Sequence, residues 1–445
     1  MSILGTIFFL VTAIALLCAP RRWAPIPLLL GVIYITHGQA IEPGGIKLHV
    51  FRMLLVVGVL RTLFRGERIA GGFNTIDKLM VCLAGWLFVA SFFHESGAAG
   101  AGPIFITGKI AEIGLCYFLI RTFCHDLEDF SSIMGVIAIL LVPIALEMIL
   151  ETFRGTNLFS KLFGGVREQV VEREGELRAR GPFRHAILAG TVGASLIPIL
   201  IGLWRRSPGT AKIGLLACIT MVISCASSGP ILSLMFGLMG VFMWKFRHLM
   251  GMVRWSIPIG YMVLAMIMTR PVYYLIGELS MGGSTGWHRS KLIDSAINHY
   301  GEWWAVGTDY TRHWMPTGVT FSPDHTDITS YYIAYGVMGG ILAMLILIAM
   351  VWVGFKWVGD TVDAIPEEDD ENGDRFMVWC MGASLFSHVA TSISVAYYDQ
   401  SVFFYWFSIA TISSIYMTRF DRVPATVPES DHPGHDPASK MQWSS

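Results

Sequence analysis

Apolar runs of about 17–24 residues alternate with short polar connectors along most of this chain, the pattern that a hydrocarbon layer about 30 Å thick imposes on crossing segments. Within lipid, each backbone N–H and C=O must find its partner inside its own segment, so these runs are expected to be helices. A β-barrel would instead show ~10-residue alternating strands, and none is visible. The pattern predicts about thirteen spans: 3–19, 24–37, 48–64, 77–93, 103–121, 131–151, 186–204, 212–226, 230–245, 255–275, 326–355, 376–396 and 401–418. The fold class is therefore all-α, a polytopic membrane helix bundle filling residues 1–420. The remainder, 421–445, is rich in Pro, Ser, His and Asp and reads as a disordered cytoplasmic tail. Residues 1–17 lack a basic leading region, so they read as a first span and not as a cleaved signal.

Charge sets the orientation. Arg21, Arg22, Arg65, Arg68, Lys78, Arg205, Arg206, Lys212, Lys245, Arg247, Arg254, Lys356 and Arg419 all fall on one side of the alternating spans, which the positive-inside rule makes the cytoplasm. The acidic run 360–374 falls there too and reads as a solvated connector. Two long polar loops, 152–185 and 276–325, are then outside. The first departs from the rule: seven basic residues, Arg154, Lys161, Arg167, Arg173, Arg178, Arg180 and Arg184, face four glutamates. A basic outer loop beside a membrane suits an anionic ligand such as a phosphorylated lipid head group, although 166–177 also reads as a mixed-charge solvated helix. In the second loop, Ile293, Ala296, Ile297 and Tyr300 recur at helical spacing opposite Lys291, Asp294 and Asn298, predicting an amphipathic helix over 288–304. Trp287, Trp303, Trp304 and Trp314 suit interface anchors.

Composition agrees with the pattern and narrows the chemistry. Only 15% of residues are charged, against about 25% in soluble domains. A net charge of -1 offers nothing to a nucleic acid. The seven cysteines lie in apolar runs or short connectors without a CxxC, which predicts neither disulfides nor a zinc site. Asp324 and Asp327 flank a histidine and lack the close Asp-x-Asp spacing that would hold a divalent ion.

Three polar segments adjoin spans on the outer side: Arg178-Ala-Arg-Gly-Pro-Phe-Arg-His185, Ser284-Thr-Gly-Trp-His-Arg-Ser290 and Ser322-Pro-Asp-His-Thr-Asp327. Arg178, Arg180 and Arg289 offer planar forks that match phosphate oxygens, and Arg184 stands beside them in sequence. Arginines fixed where a diphosphate departs would stabilise the transition state more than the ground state. His325, between Asp324 and Asp327, is placed to take a proton from an acceptor hydroxyl or to orient it. Arg52, Arg61, Lys109, Glu112, Glu147 and His388 lie in or near spans, where charge is costly and usually paired or functional. Lys109 and Glu112, three apart on one helix, are expected to pair, and Arg52 and Lys109 to approach the phosphate site. Arg61 is expected to snorkel to the cytoplasm and His388 to be a hydrogen-bonded core residue.

In order and spacing, these segments resemble the O-antigen ligase and polysaccharide polymerase superfamily. The resemblance rests on Arg178, Gly181 and Phe183 before a mid-chain span, the small-residue turn Ser224-Cys-Ala-Ser-Ser-Gly-Pro-Ile-Leu232, Arg289 near the start of a large outer loop, Val306-Gly307, and His325 before a span with Tyr331, Tyr332, Gly336 and Gly340. It covers about residues 170–345. The chain departs from the family pattern at Ser228, Ala186 and Thr326, where Arg, Pro and Asn are usual. The resemblance implies a GT-C-like glycosyltransferase in the bacterial inner membrane. Such an enzyme moves a glycan from an undecaprenyl diphosphate carrier to a saccharide acceptor at the periplasmic face, without a nucleotide sugar, metal or other cofactor. It implies catalytic roles for His325, Arg289 and Arg178, and the residue pattern itself adds Arg180, Arg184, Arg52, Lys109, Asp324 and Asp327 as candidates around the substrate. A lipid-linked oligosaccharide flippase or transporter, and a non-catalytic subunit of an envelope polysaccharide machine, are the competing readings. A transporter should show inverted repeats and helices interrupted at mid-membrane; no repeat is visible.

Overall fold

The computed structural model describes residues 1–42, 47–95, 102–173, 175–279, 283–319, 322–368 and 370–421; the tail beyond lies outside the described residues. The chain is mostly helical. In order, the helices are α1 Ile3–Cys18, α2 Pro25–Tyr34, α3 Val50–Arg65, α4 Thr75–Ser91, α5 Pro103–Phe123, α6 Leu127–Arg154, α7 Leu158–Phe163, α8 Ala186–Leu203 and α9 Pro208–Ser224. Then follow α10 Ser228–Phe242, α11 Met250–Ile267, α12 Leu275–Leu279, α13 Gly283–Asn298, α14 Tyr300–Trp303, α15 Tyr331–Ala364, α16 Asp374–Ser392 and α17 Ser401–Asp421. Among the described residues there are also three two-stranded antiparallel pairs: β1 Ala40–Ile41 with β2 Leu48–His49, β3 Val171–Arg173 with β4 Glu176–Arg178, and β5 Gly318–Val319 with β6 Ser322–Thr326.

A helix occupies each stretch where hydropathy predicts a span, and among the described residues six segments are long and apolar enough to cross a membrane: Pro103–Phe123, Leu127–Arg154, Ala186–Leu203, Ser228–Ile267, Tyr331–Ala364 and Ser401–Phe420. The others are shorter or more polar. α2 has ten residues, and α3 carries Arg52, Arg61 and Arg65 within sixteen. α8 and α17 sit deepest, with 89% and 83% of their apolar windows enclosed by protein. α11 has no buried residue and exposes Trp255, Ile257, Met266 and Ile267, a surface suited to lipid and not to water.

Contacts between connectors define two ends of the bundle. At one end, Arg21 pairs with Asp129 at 2.9 Å, Arg206 with Asp374, and Arg247 with Glu367 at 3.3 Å. There too the Thr418 hydroxyl donates to the His125 carbonyl at 2.7 Å. Asp77 and Arg121, both fully buried, pair at 3.0 Å. The Arg121 guanidinium also donates to the Ala70 and Gly72 carbonyls, and Tyr117 Oη donates to Asp77, so neither charge is left without hydrogen bonds. Arg61 joins this end and does not snorkel: it is 1% exposed, pairs with Glu67 at 2.6 Å and donates to the Leu16 and Ala19 carbonyls.

The opposite end gathers the large loops. Met1 donates to the Ala40 carbonyl, Gln400 to the Pro182 carbonyl at 3.0 Å, and His94 lies 2.7 Å from Asp309. The segment expected to form a mixed-charge helix over 166–177 instead forms the β3–β4 hairpin, which turns through Gly175 at φ 82°. α13 confirms the amphipathic helix but rotates its buried stripe. Leu292 and Ala296 are buried while Ile297 is exposed, which puts Arg289 on the packed face. Of the four tryptophans expected at the interface, Trp303 and Trp314 are buried in the loop's own small core, and Trp287 and Trp304 remain exposed.

α15 is broken at Gly339 and Gly340, the latter at φ 71°. The loop backbone fills the break. Ile341 N–H donates to the Trp304 carbonyl, Thr308 N–H to the Val337 carbonyl, and Trp86 Nε1 to the Gly339 carbonyl. A Cβ on Gly340 would overlap the Ala305 carbonyl, and one on Gly307 the Val337 carbonyl. Those glycines therefore serve a close backbone crossing.

Candidate functional site

The turn between α9 and α10, Cys225–Ser227, organises the large-loop end. Ala226 occupies it at φ 42°, a conformation that costs a residue with a Cβ. Ala179 N–H donates to the Ser224 carbonyl at 3.0 Å, and Arg178 Nε to the Cys225 carbonyl at 3.4 Å, so the strand leaving β4 closes the C-terminal end of α9. From the other loop, Arg289 reaches the first turn of α10. Its Nη2 would lie 3.6 Å from a Cβ placed on Gly229. Ile187 of α8 and Val395, after α16, meet the same glycine. Arg178 and Arg289, 111 positions apart in the chain, thus converge on one turn, at 7% and 6% exposure. The Ser227 side chain makes no capping hydrogen bond to α10, whose first N–H groups carry the positive end of the helix dipole.

Other cations add to the field there. Burial and then Arg173 pull the Arg289 pKa below its ordinary value. Burial lowers that of Arg180, with Glu151 opposing. His185, which caps α8 by accepting from Ile187 N–H at 3.2 Å, is lowered to about 4 by burial and the charges of Arg178, Arg180 and Arg167. Arg178, Arg180 and Arg289 thus give this end of the bundle a local excess of positive charge.

The remaining predicted residues divide into three groups. Arg180 and Gly181 donate their backbone N–H groups to Glu151 Oε2 at 3.0 and 2.8 Å, and the Arg180 guanidinium lies 4.0 Å from Glu151. Gly181 adopts φ 56° and Phe183 is fully buried, so the Arg-x-x-Gly-x-Phe segment is held by a carboxylate, a left-handed turn and an apolar plug. Arg184 is exposed and fixed through its backbone N–H to Asp399 Oδ2 at 2.7 Å. His325, half-buried on β6, lies with Nδ1 3.1 Å from Thr311 Oγ1. Asp324 and Asp327 are exposed on either side, and the Asp327 carbonyl meets His288 Nε2 at 3.1 Å, next to Arg289. The Asp327–His288 contact thus joins the segment that carries His325 to the helix that carries Arg289.

Arg52 and Lys109 belong to a neighbouring group. Glu112 does not pair with Lys109 as expected but with Arg52, at 2.8 Å across α3 and α5. Lys109 Nζ reaches Met338 Sδ at 3.4 Å and lies over the Tyr335 ring. His388 is a core residue as expected, its Nδ1 2.9 Å from Tyr397 Oη.

Sequence reasoning gave no role to His37, Tyr398 or Asp399. His37 Nδ1 lies 3.1 Å from Asp399 Oδ1, its ring stacks on His49 with centroids 4.4 Å apart, and its Nε2 is buried without a hydrogen-bond partner. Asp399 stands at φ 62°, a strained conformation for a non-glycine residue. Burial raises its pKa, with His37 opposing. Burial and the charges of Asp327 and Asp399 raise Tyr398 to about 12. A histidine in one apolar connector and an aspartate in another, 362 positions away, carry no joint sequence signal. Neither a scan against protein-family models nor a search of the curated proteins finds a match for this chain.

Proposed function

We propose that the chain is a membrane glycosyltransferase of the O-antigen ligase or polysaccharide polymerase type. It would move a glycan from an undecaprenyl diphosphate carrier to an acceptor saccharide, with the large-loop end at the periplasmic face of a bacterial inner membrane. The observation that carries the reading is the convergence of buried Arg178 and Arg289 on the uncapped N-terminal turn of α10. Two guanidinium forks and the N–H groups of Ser228 and Gly229 suit the two phosphates of such a carrier. In the transfer, the acceptor hydroxyl oxygen bonds to the anomeric carbon as that carbon's bond to the diphosphate oxygen breaks. The diphosphate leaves with the electron pair, and the arginines stabilise the charge it gains. The hydroxyl proton passes to a base, for which His325 is the candidate from sequence and the His37–Asp399 pair the candidate from geometry.

A break within α15 is a feature that a transporter would also have, where unwound backbone lines a substrate cavity. Here loop residues 304–308 occupy the break, which favours the transferase reading. The test is transfer by the purified protein in detergent, given a synthetic undecaprenyl-diphosphate oligosaccharide and candidate acceptors. The reading predicts glycan transfer with release of the diphosphate carrier. Carrier movement across a liposome bilayer without bond cleavage would replace it with a flippase.

A further inference from the structure

The loop beyond α13 carries a polar cluster that glycosyl transfer does not use. His299, Glu302 and His313 present ligand atoms that all lie within 4.8 Å of one another. We propose that these three residues form a binding site for a divalent transition-metal ion, zinc being the ion that two imidazoles and a carboxylate suit best.

The supporting contacts orient the donors as a metal requires. His299 stands at the entry to α14 and Glu302 three residues on, so both project from one side of the same turn. His299 Nδ1 lies 2.8 Å from the Ser295 carbonyl. With the proton on Nδ1, the Nε2 lone pair is left for an ion, the backing contact that metal-bound imidazoles ordinarily have. Glu302 receives the Trp314 indole N–H on Oε2 at 3.0 Å, which fixes the carboxylate. His313, from the 3-10 turn Arg312–Trp314, brings Nε2 to 3.0 Å from Glu302 Oε1. The His299 ring stacks on Trp314 and the His313 ring on Tyr310, at centroid separations of 5.8 and 5.1 Å. Ligands about 2.0–2.2 Å from zinc stand roughly 3.5 Å apart, so the widest pair must close by roughly 1 Å. His313 is exposed and can make that movement by side-chain rotation while Trp314 holds Glu302 in place. The fourth position is left to water.

The ion would join α14 to the 312–314 turn. That turn adjoins Thr311, which accepts or donates at His325 Nδ1 and whose N–H bonds the Asp324 carbonyl. Metal would thus order the strand that carries His325 without touching substrate.

The experiment uses the full chain in detergent, purified through a tag free of histidine. The protein is stripped with chelator, equilibrated with buffered micromolar Zn²⁺ and assayed for bound metal. Cobalt serves as a spectroscopic substitute. The expected result is about one zinc per chain and, with cobalt, a visible absorption band of low-coordinate N/O ligation. Affinity should fall at least tenfold in His313→Ala and in Glu302→Gln. Metal content should drop to background in the His299→Ala, His313→Ala double variant, with an unchanged gel-filtration profile. No bound metal at micromolar zinc, or equal metal in wild type and the double variant, would overturn the site. These readouts are independent of transfer activity.

Discussion

Truncating Arg289 to alanine separates what this cation does for the fold from what it does for a phosphate. The side chain is 6% exposed, and its charge is held against two costs, burial and the nearby charge of Arg173. Removing the side chain relieves both costs and also forfeits the contacts that its guanidinium and stem make. The thermal midpoint in detergent reads that balance on its own. Transfer should respond very differently. A preorganised donor aimed at charge that develops as a bond breaks is worth about 10²–10³ in rate, or about 2.7–4 kcal/mol, in a water-poor site. Arg178 shares the turn, so the double variant should lose less than the product of the two single losses. Arg289→Lys, which keeps a point charge but not the fork, should fall between alanine and wild type. The assay is single-turnover release of the diphosphate carrier from a fixed lipid-linked oligosaccharide, read beside a melting curve. A rate within about twofold of wild type in a folded Arg289→Ala protein would refute the reasoning. So would a rate loss that only tracks a collapsed melting temperature.

Arg178→Ala should slow transfer by on the order of 10²-fold in the same assay. Arg61→Ala leaves Glu67 and two main-chain carbonyls without their buried donor and should cost about 3–5 kcal/mol, seen as a lowered melting temperature; an unchanged midpoint would return Arg61 to the surface. Gly340→Ala forces a side chain into left-handed backbone against the Ala305 carbonyl and should destabilise by at least about 1–3 kcal/mol, whereas a neutral result would deny the crossing of loop and helix. The His185 pKa in the folded chain, about 4, lies below the ~6.5 of a free imidazole, so the unfolded chain takes up its proton first as pH falls. That contribution to stability is complete above about pH 6.5 and is lost progressively toward pH 4. His185→Asn keeps an N-cap acceptor without the titration, and its melting temperature should fall less than that of wild type between pH 7 and 5.

The helices were legible because lipid-facing apolar length needs no tertiary information. The thirteen hydropathy stretches coincide with helices, and α8 and α11 differ only in how much protein covers them. Side-chain partners were less legible. Glu112 has Lys109 one turn away in sequence, yet Arg52 comes from a different helix and takes it. Residues 166–177 have the charge pattern of a solvated helix, but Gly175 and the valines around 170 favour the hairpin that delivers Arg178. Sequence offered Arg178, Arg289 and the turn Ser224–Leu232 as separate candidates. That the turn is where the two arginines meet needed coordinates. His37 and Asp399 gave no pattern at all, because an apolar-flanked His and a post-span Asp are each commonplace.

The central claim is that the α10 turn holds a diphosphate between Arg178 and Arg289, and a structure of the protein bound to undecaprenyl diphosphate in a lipid nanodisc tests it most directly. The account predicts phosphate density within hydrogen-bond reach of both guanidinium groups and the N–H groups of residues 228–229. The polyprenyl chain should leave over the apolar surface of the bundle. Phosphate density confined to Arg52 and Lys109, or to the opposite end near Arg21 and Arg206, would contradict it.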